Sequence, residues 1–410
     1  MSAASTTSSI INLTKTIIGA GLLAIPYGFK SQGIFFGVIL ILVGAIASSY
    51  GLYIIGRCSY KLPRGEETSF FTLCSITYPQ LSLIFDFSIF IQCFGVAVSY
   101  LILVGDLLPQ LLNDAVTRTQ VILLSLLITT PLISFRKLDS LKIGSLIGLL
   151  SIVYLVVLVV SHTLLDDLSL TQGNIKYFTT GSLSEILASF PIVIFAFTAA
   201  QNISTVINEI ENKNDLNLVI LAANGIAGGF FVLVGVMGYL QFGDNVQGNI
   251  ILAYDPTLLS TKIGQFALLL MVVLSYPLMF HPARISLNNM IFWIETELIQ
   301  SAGKPEEETQ PLLQEQANVV DQVATGVPFS DRRFVTLSLV LSLLTYGCAL
   351  TIRSFELVLA LVGATGSTLI CFILPGLFGF KLSQQKWWSL GLSLWGGAVM
   401  IASVYSILYL

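Results

Sequence analysis

Charged residues are scarce in this chain. Asp, Glu, Lys and Arg make up only 10% of its 410 residues, whereas 55% are hydrophobic and the mean hydropathy is +0.85. So little polar surface excludes a water-soluble globular protein of this length. The net charge of −4 is small and spread over loops, which argues against nucleic acid as a partner. The composition predicts a polytopic membrane protein, and its long apolar runs, described below, predict an all-α fold.

Histidine and cysteine are also few. The two histidines are far apart, and the five cysteines show no CxxC spacing, so neither a metal site nor a disulfide framework is indicated. The chain also has no phosphate-binding loop and no nucleophile triad. We therefore expect no cofactor, no metal and no enzymatic activity.

Long apolar runs are what the chain does have. A helix needs about 20 apolar residues to cross the hydrocarbon. Eleven runs of roughly this kind are predicted at 8–29, 34–56, 82–108, 120–135, 143–161, 183–206, 217–240, 262–281, 335–352, 355–376 and 388–409.

The basic residues predict the orientation. Thirteen of the 19 Lys and Arg residues fall in one set of alternate loops and five in the other, with Lys15 inside the first run. Because basic loops stay on the cytoplasmic side, we expect a cytoplasmic N-terminus and a luminal C-terminus.

Two of the predicted crossings are interrupted. The first contains Gly19-Ala20-Gly21 and then Pro26, and the sixth contains Pro191 followed by a small-residue stretch and polar Gln201. Broken helices five crossings apart are typical of inverted-repeat carriers, whose substrate sites lie at the breaks. We expect a single transporter domain over 1–410, with repeat one at 8–161, repeat two at 183–376 and an extra helix at 388–409.

Three motifs carry a family resemblance: TIIGAGLLAIP in the first crossing, FAFTAAQNISTVINEI in the sixth and YPLMFHPAR at the end of the eighth. With them the chain resembles the amino acid/auxin permease family, particularly its fungal vacuolar amino-acid transporters. The resemblance implies a LeuT-like 5+5 fold with broken helices 1 and 6, and transport of free amino acids.

The predicted substrate site lies at the two breaks. Free N–H groups and a positive dipole end suit a carboxylate in the first break, and carbonyl groups suit an ammonium group in the sixth. The predicted substrate-binding residues are Thr16, Gly19, Ala20, Gly21, Leu22, Tyr100, Phe195, Ala196, Phe197 and Thr198. The alternative is that the glycines serve only close helix packing, and that Tyr100 is an interfacial or packing residue.

Ion coupling is predicted at Lys15, Ser275 and Glu209. Lys15 stands where a similar sodium-coupled pattern, NLSNAIxGSG, has an asparagine that resembles a sodium ligand, and Ser275 corresponds to the family's contributing hydroxyl. A fixed ammonium group can replace sodium and can exchange a proton. Alternatively, Lys15 extends its stem to the interface. Glu209, which follows the sixth break, is the best gating candidate among the carboxylates.

The segment 301–331 is polar and predicted to be a disordered cytoplasmic loop. Within it, Glu308, Leu312 and Leu313 have the spacing of an acidic dileucine sorting signal, which is an address read by adaptors. This favours a vacuolar or lysosome-like membrane.

The sequence thus predicts a proton-coupled, sodium-independent carrier of neutral amino acids, with free amino acids, protons, membrane lipids and sorting adaptors as partners. The alternative is an amino-acid sensor that signals through the 301–331 loop. A channel is disfavoured because no continuous polar stripe is present.

Overall fold

The computed structural model describes residues 4–62, 68–134, 142–166, 173–178, 182–301 and 329–409. Within them, β-structure is limited to one isolated parallel bridge between Ala4 and Ile210. The helices are α1 (Thr6–Ile17), α2 (Ile25–Ser59), α3 (Phe70–Thr77), α4 (Ser82–Leu111), α5 (Arg118–Ser134), α6 (Lys142–Leu165), α7 (Leu183–Ala196), α8 (Ala200–Glu209), α9 (Leu216–Phe242), α10 (Leu259–Ser301), α11 (Asp331–Thr351), α12 (Phe355–Val362), α13 (Leu374–Leu382) and α14 (Lys386–Tyr409).

These helices form the predicted polytopic bundle. Nine stretches of the described chain are long and apolar enough to cross a membrane. One of them, Ala20–Ser59, contains Gly33 with φ 69°, a conformation open mainly to glycine, and this residue separates the first crossing from the second. The 17-residue helix α5 is the short fourth crossing. The outer faces expose large apolar side chains such as Leu127, Leu343 and Ile401, as a lipid-facing surface does.

The first crossing is broken where the sequence predicts it. Helix α1 ends at Ile17, residues Ala20–Ala24 form a 3₁₀ turn, and α2 starts at Ile25 with Pro26 in its first turn. Gly19 is extended, with φ −116° and ψ −153°. Because Pro26 lies in the first turn, its missing N–H leaves no helical hydrogen bond unmade.

The sixth crossing is broken between α7 and α8. Helix α7 stops at Ala196, and Phe197–Ala199 are non-helical. The tenth crossing is continuous but wound more loosely in its middle, where the π-helical turns Gly363–Ser367 and Leu369–Ile373 join α12 to α13. The breaks lie five crossings apart, as the predicted inverted repeat requires.

The eighth crossing is longer than predicted. The sequence places its end at 281, before Pro282, but α10 runs from Leu259 to Ser301 with Pro277 and Pro282 inside it. Helix-interior prolines persist in membrane helices when neighbours satisfy the freed groups, and α10 packs along α4 and α6. The rest of the predicted 301–331 loop, residues 302–328, lies outside the described residues.

Candidate functional site

A cavity of about 430 Å³ lies where the two broken crossings meet α4, α6 and α10. Its lining includes backbone from both breaks and side chains from the other three helices. The lining residues are Ser9, Asn12, Lys15, Thr16, Ile17, Ile18, Gly19, Ala20, Gly21, Gln92, Val96, Tyr100, Gly148, Ile152, Phe195, Ala196, Thr198, Gln201, Asn202, Thr205, Val206, Glu209, Met271, Ser275, Leu278 and Met279.

The break in the first crossing leaves two backbone donors. Ile18 N–H donates to the Thr14 carbonyl at 2.8 Å, and Gly19 N–H donates to the Ile17 carbonyl at 2.9 Å. Leu22 N–H closes the 3₁₀ turn on the Gly19 carbonyl at 3.1 Å. The N–H groups of Ala20 and Gly21 have no such bond to a described residue. They are the first donors of the restarting helix, and both residues line the cavity.

Most carbonyl groups around the second break are already bonded. Thr198 donates from its N–H to the Phe195 carbonyl and from its Oγ1 to the Ile194 carbonyl, both at 3.0 Å. Ser48 on α2 donates from its Oγ to the Phe197 carbonyl at 3.0 Å. Ala196 and Thr198 line the cavity, and within the described chain no hydrogen bond reaches the Thr198 carbonyl or reaches the Ala196 carbonyl from outside α7. They are the acceptors that remain at this break.

The two breaks also contact each other. Gly21 lies against Phe195 and Ala196 of α7. On the α1 and α8 side of the breaks, Asn202 Nδ2 on α8 is 3.4 Å from Thr16 Oγ1 on α1. The donors of one break and the acceptors of the other therefore face one small space, which suits a ligand that carries an anionic and a cationic group side by side.

Most of the predicted site residues come together in this cavity. Thr16, Gly19, Ala20, Gly21, Tyr100, Phe195, Ala196 and Thr198 line it, and so do the predicted coupling residues Lys15, Ser275 and Glu209. The predicted sorting residues Glu308, Leu312 and Leu313 lie outside the described residues.

Two predicted residues do not reach the cavity. Leu22 uses its N–H within the 3₁₀ turn, and its side chain is buried in the core. The Phe197 side chain is also buried, and its ring packs edge-on against Phe231 with centroids 4.9 Å apart. In both cases the turn at the break places the residue on the side away from the cavity, whereas its chain neighbours, Gly21 for Leu22 and Ala196 and Thr198 for Phe197, line the cavity.

Several residues of the cavity wall are not among those predicted from the sequence. Gln92 is the clearest, because Gln92, Val96 and Tyr100 are spaced four residues apart and all line the cavity from α4. This spacing places the three residues on one helix face. The prediction that Tyr100 lines the site therefore implies that Gln92 lines it as well. Met271 and Met279 on α10 likewise accompany the predicted Ser275.

The cavity carries balanced charge. Lys15 and Glu209 are its only charged lining residues in the described part of the chain. Neither forms an ion pair there. The described residues also hold no group of three or more His, Cys, Asp or Glu side chains suited to a metal ion.

Two interrupted helices around a central cavity, in a bundle of membrane-crossing helices, define a secondary transporter. The comparison with known families makes the assignment specific. The family described as Transmembrane amino acid transporter protein matches residues 2–408, and the chain belongs to this family. The resemblance to the amino acid/auxin permeases is thereby confirmed, and the chain is a transporter and not an enzyme.

Individual relatives cover nearly the whole chain. Vacuolar amino acid transporter 7 of Saccharomyces cerevisiae is 38% identical over 92% of this chain and 88% of its own length. Vacuolar amino acid transporter 5 of Schizosaccharomyces pombe is 36% identical over 96% of this chain and 92% of its own. Sodium-coupled neutral amino acid transporter 7 of Homo sapiens is 23% identical over 94% and 83%.

Proposed function

We propose that this protein carries neutral amino acids across the vacuolar membrane by proton-coupled, sodium-independent alternating access. The observation that carries the proposal is the pairing of free donors at Ala20 and Gly21 with free acceptors at Ala196 and Thr198 in one cavity. The names of the fungal relatives support amino acids as substrates and the vacuole as the membrane.

The backbone groups recognise what all amino acids share. The N–H groups of Ala20 and Gly21, at the positive end of a restarting helix, bind the substrate carboxylate. The carbonyl groups of Ala196 and Thr198 accept hydrogen bonds from its ammonium group. Because these contacts use backbone atoms, they fix the substrate's common part and leave its side chain to the remaining wall.

The wall around the side chain favours a neutral substrate. Ile152, Met271 and Met279 are apolar, and the one basic and one acidic lining residue leave no net charge to attract a charged side chain. On this proposal Lys15 and Glu209 serve coupling and gating, so a charged substrate side chain would lose hydration without gaining a partner of its own.

Lys15 and Ser275 place the coupling function beside the substrate. Both line the cavity, and Lys15, in the last turn of α1, lies four residues before Gly19 of the break. The ammonium group of Lys15 takes the place of a bound sodium ion. It can also release a proton to water in the open cavity and take one back, which provides a route for protons. Glu209, at the end of α8, provides the opposite charge for a cytoplasmic gate.

The cavity corresponds to one state of the transport cycle, in which the site opens toward one side of the membrane. It extends along α1 to Ser9 and along α8 to Glu209, the side that the basic loops assign to the cytoplasm. A separate cavity of about 500 Å³ lies at the opposite end, with Lys30, Glu185 and Glu356 in its lining. On this proposal the N-terminus is cytoplasmic and the C-terminus is luminal.

The test is uptake of radiolabelled neutral amino acids into proteoliposomes, with and without an imposed pH gradient and with and without sodium. We expect uptake that collapses with the pH gradient and ignores sodium. Sodium-dependent uptake would overturn the coupling proposal. Specific binding without flux would favour the sensor alternative, which signals through the 301–331 segment.

A further inference from the structure

Gln92 contributes a carboxamide to the wall of the cavity on α4. Gln92 lines the cavity together with Val96 and Tyr100, one and two helical turns further on. Its side chain is 1% exposed. A buried amide needs hydrogen-bond partners for its oxygen and its nitrogen.

The oxygen of this amide is held by the tenth crossing. Ser367, itself fully buried in the π-helical turn Gly363–Ser367, donates from its Oγ to Gln92 Oε1 at 2.7 Å. The two helices meet closely here, because a Cβ at position 366 would lie 2.7 Å from the backbone nitrogen of Gln92. The π-helical turn thus brings Ser367 to Gln92 and fixes the orientation of the amide.

The nitrogen of the amide has no such partner. Gln92 Oε1 is bonded to Ser367, but no hydrogen bond leads from Gln92 Nε2 to any residue in the described ranges. With the oxygen fixed, the amide presents its N–H groups to the cavity that Gln92 lines. A donor in this position suits a neutral ligand group that accepts hydrogen bonds.

We propose that Gln92 is a specificity-determining residue whose Nε2 donates to the side chain of the substrate. The carrier then prefers neutral amino acids with a side-chain carbonyl or hydroxyl oxygen, such as glutamine, over apolar ones of similar length, such as methionine. Ser367 is a positioning residue that acts through Gln92. This inference rests on the proposed function and names the substrate class of the same site.

The test compares glutamine with methionine, because their side chains have similar length and differ in polarity. The measured quantity is the ratio of the two KM values for uptake by proteoliposomes. Losing one hydrogen bond to a substrate changes affinity by about 10-fold. We expect Gln92→Leu to raise the KM for glutamine by about this factor and to leave the KM for methionine unchanged or lower.

Two further variants make the result specific. Ser367→Ala frees the amide to rotate and is expected to shift the ratio in the same direction but less, by about 3-fold. Gln110→Leu makes the same chemical change on α4 outside the cavity, where Gln110 accepts a bond from Gln265, and should leave the ratio unchanged.

An unchanged ratio in Gln92→Leu would overturn the inference and leave the proposed function standing. Wild-type protein that transports neither substrate would instead overturn the proposed function. If Gln92→Leu folds but loses all flux, the same ratio is measured as stabilisation against thermal unfolding by each amino acid. If it fails to fold, the ratio in Ser367→Ala decides the matter.

Discussion

Gly21 and Ala196 bring the two helix breaks into direct contact. A Cβ added at Gly21 would lie 2.8 Å from the Ala196 Cα and 3.2 Å from a ring carbon of Phe195. The 3₁₀ turn of the first crossing therefore packs on the end of α7 at a distance that only a residue without a side chain permits. This contact keeps the free N–H groups of one break near the free carbonyl groups of the other.

Gly21→Ala should separate the two breaks. Overpacking a close contact costs about 1–3 kcal/mol, and here the first atom to be displaced is backbone. We expect uptake to fall by about 10-fold, the equivalent of about 1.4 kcal/mol, with the protein still inserted in the membrane. Uptake of a labelled neutral amino acid, normalised to the amount of folded protein, provides the measurement.

Gly229→Ala is the matched control for this substitution. It adds the same methyl group on α9, where a Cβ meets nothing within 4 Å, and should leave uptake unchanged. If Gly21→Ala transported as well as this control, the contact between the breaks would have no part in transport.

The sequence predicts the breaks better than it predicts which atoms face the cavity. Gly19-Ala20-Gly21 and Pro26 identify the first break because two glycines of low helix propensity and a proline without an N–H occur within eight residues. Leu22 does not reach the cavity, because the 3₁₀ turn engages its N–H with the Gly19 carbonyl. The direction of a side chain near a break depends on the local turn geometry, which the pattern of glycine and proline does not predict.

Tertiary packing accounts for the other differences. Pro282 is read as a helix end from sequence, but α10 continues through it to Ser301. The spacing to Tyr100 places Gln92 on the same face of α4, but the orientation of its amide depends on the bond from Ser367, which is distant in sequence. Long-range partners of this kind cannot be deduced from the spacing of residues within one helix.

Lys15→Asn should change the ion dependence of transport. The substitution restores the amide found in the similar sodium-coupled pattern and removes the ammonium group from the cavity wall. Because an amide oxygen can bind sodium and an ammonium group repels it, we expect sodium to stimulate uptake by the variant and the effect of a pH gradient to diminish. Uptake is measured in sodium and in choline media, with and without the pH gradient.

Lys15→Arg keeps the positive charge and is the control for that experiment. It should remain insensitive to sodium. Pronounced sodium stimulation of both variants, or a full proton dependence of Lys15→Asn, would contradict a coupling role for Lys15.

Ser48→Ala should weaken the sixth crossing at its break. The Ser48 hydroxyl, contributed by α2, bonds the Phe197 carbonyl, which has no helical partner there. Side-chain hydrogen bonds between membrane helices contribute about 1 kcal/mol, and we expect a loss of stability of that order together with reduced uptake. Unfolding in detergent micelles measures the stability.

Ser59→Ala is the comparison for this stability measurement. The Ser59 hydroxyl bonds the Gly56 carbonyl within α2 itself, so its removal leaves no break without support. Equal stability losses in the two variants would show that the break does not depend on Ser48.

Replacing Leu312 and Leu313 with alanine should redirect the protein within the cell. Both leucines follow Glu308 at the spacing of an acidic dileucine signal, in the polar segment that the basic loops assign to the cytoplasm. Because such a signal is read by adaptors and plays no part in folding, the double variant should keep its transport activity in proteoliposomes. A fluorescent fusion expressed in yeast should move from the vacuolar membrane to the cell surface.

Val319 and Val320, an apolar pair in the same segment, provide the control, and their replacement by alanine should leave the fusion at the vacuole. A leucine variant that remains at the vacuolar membrane would show that another part of the chain carries the address.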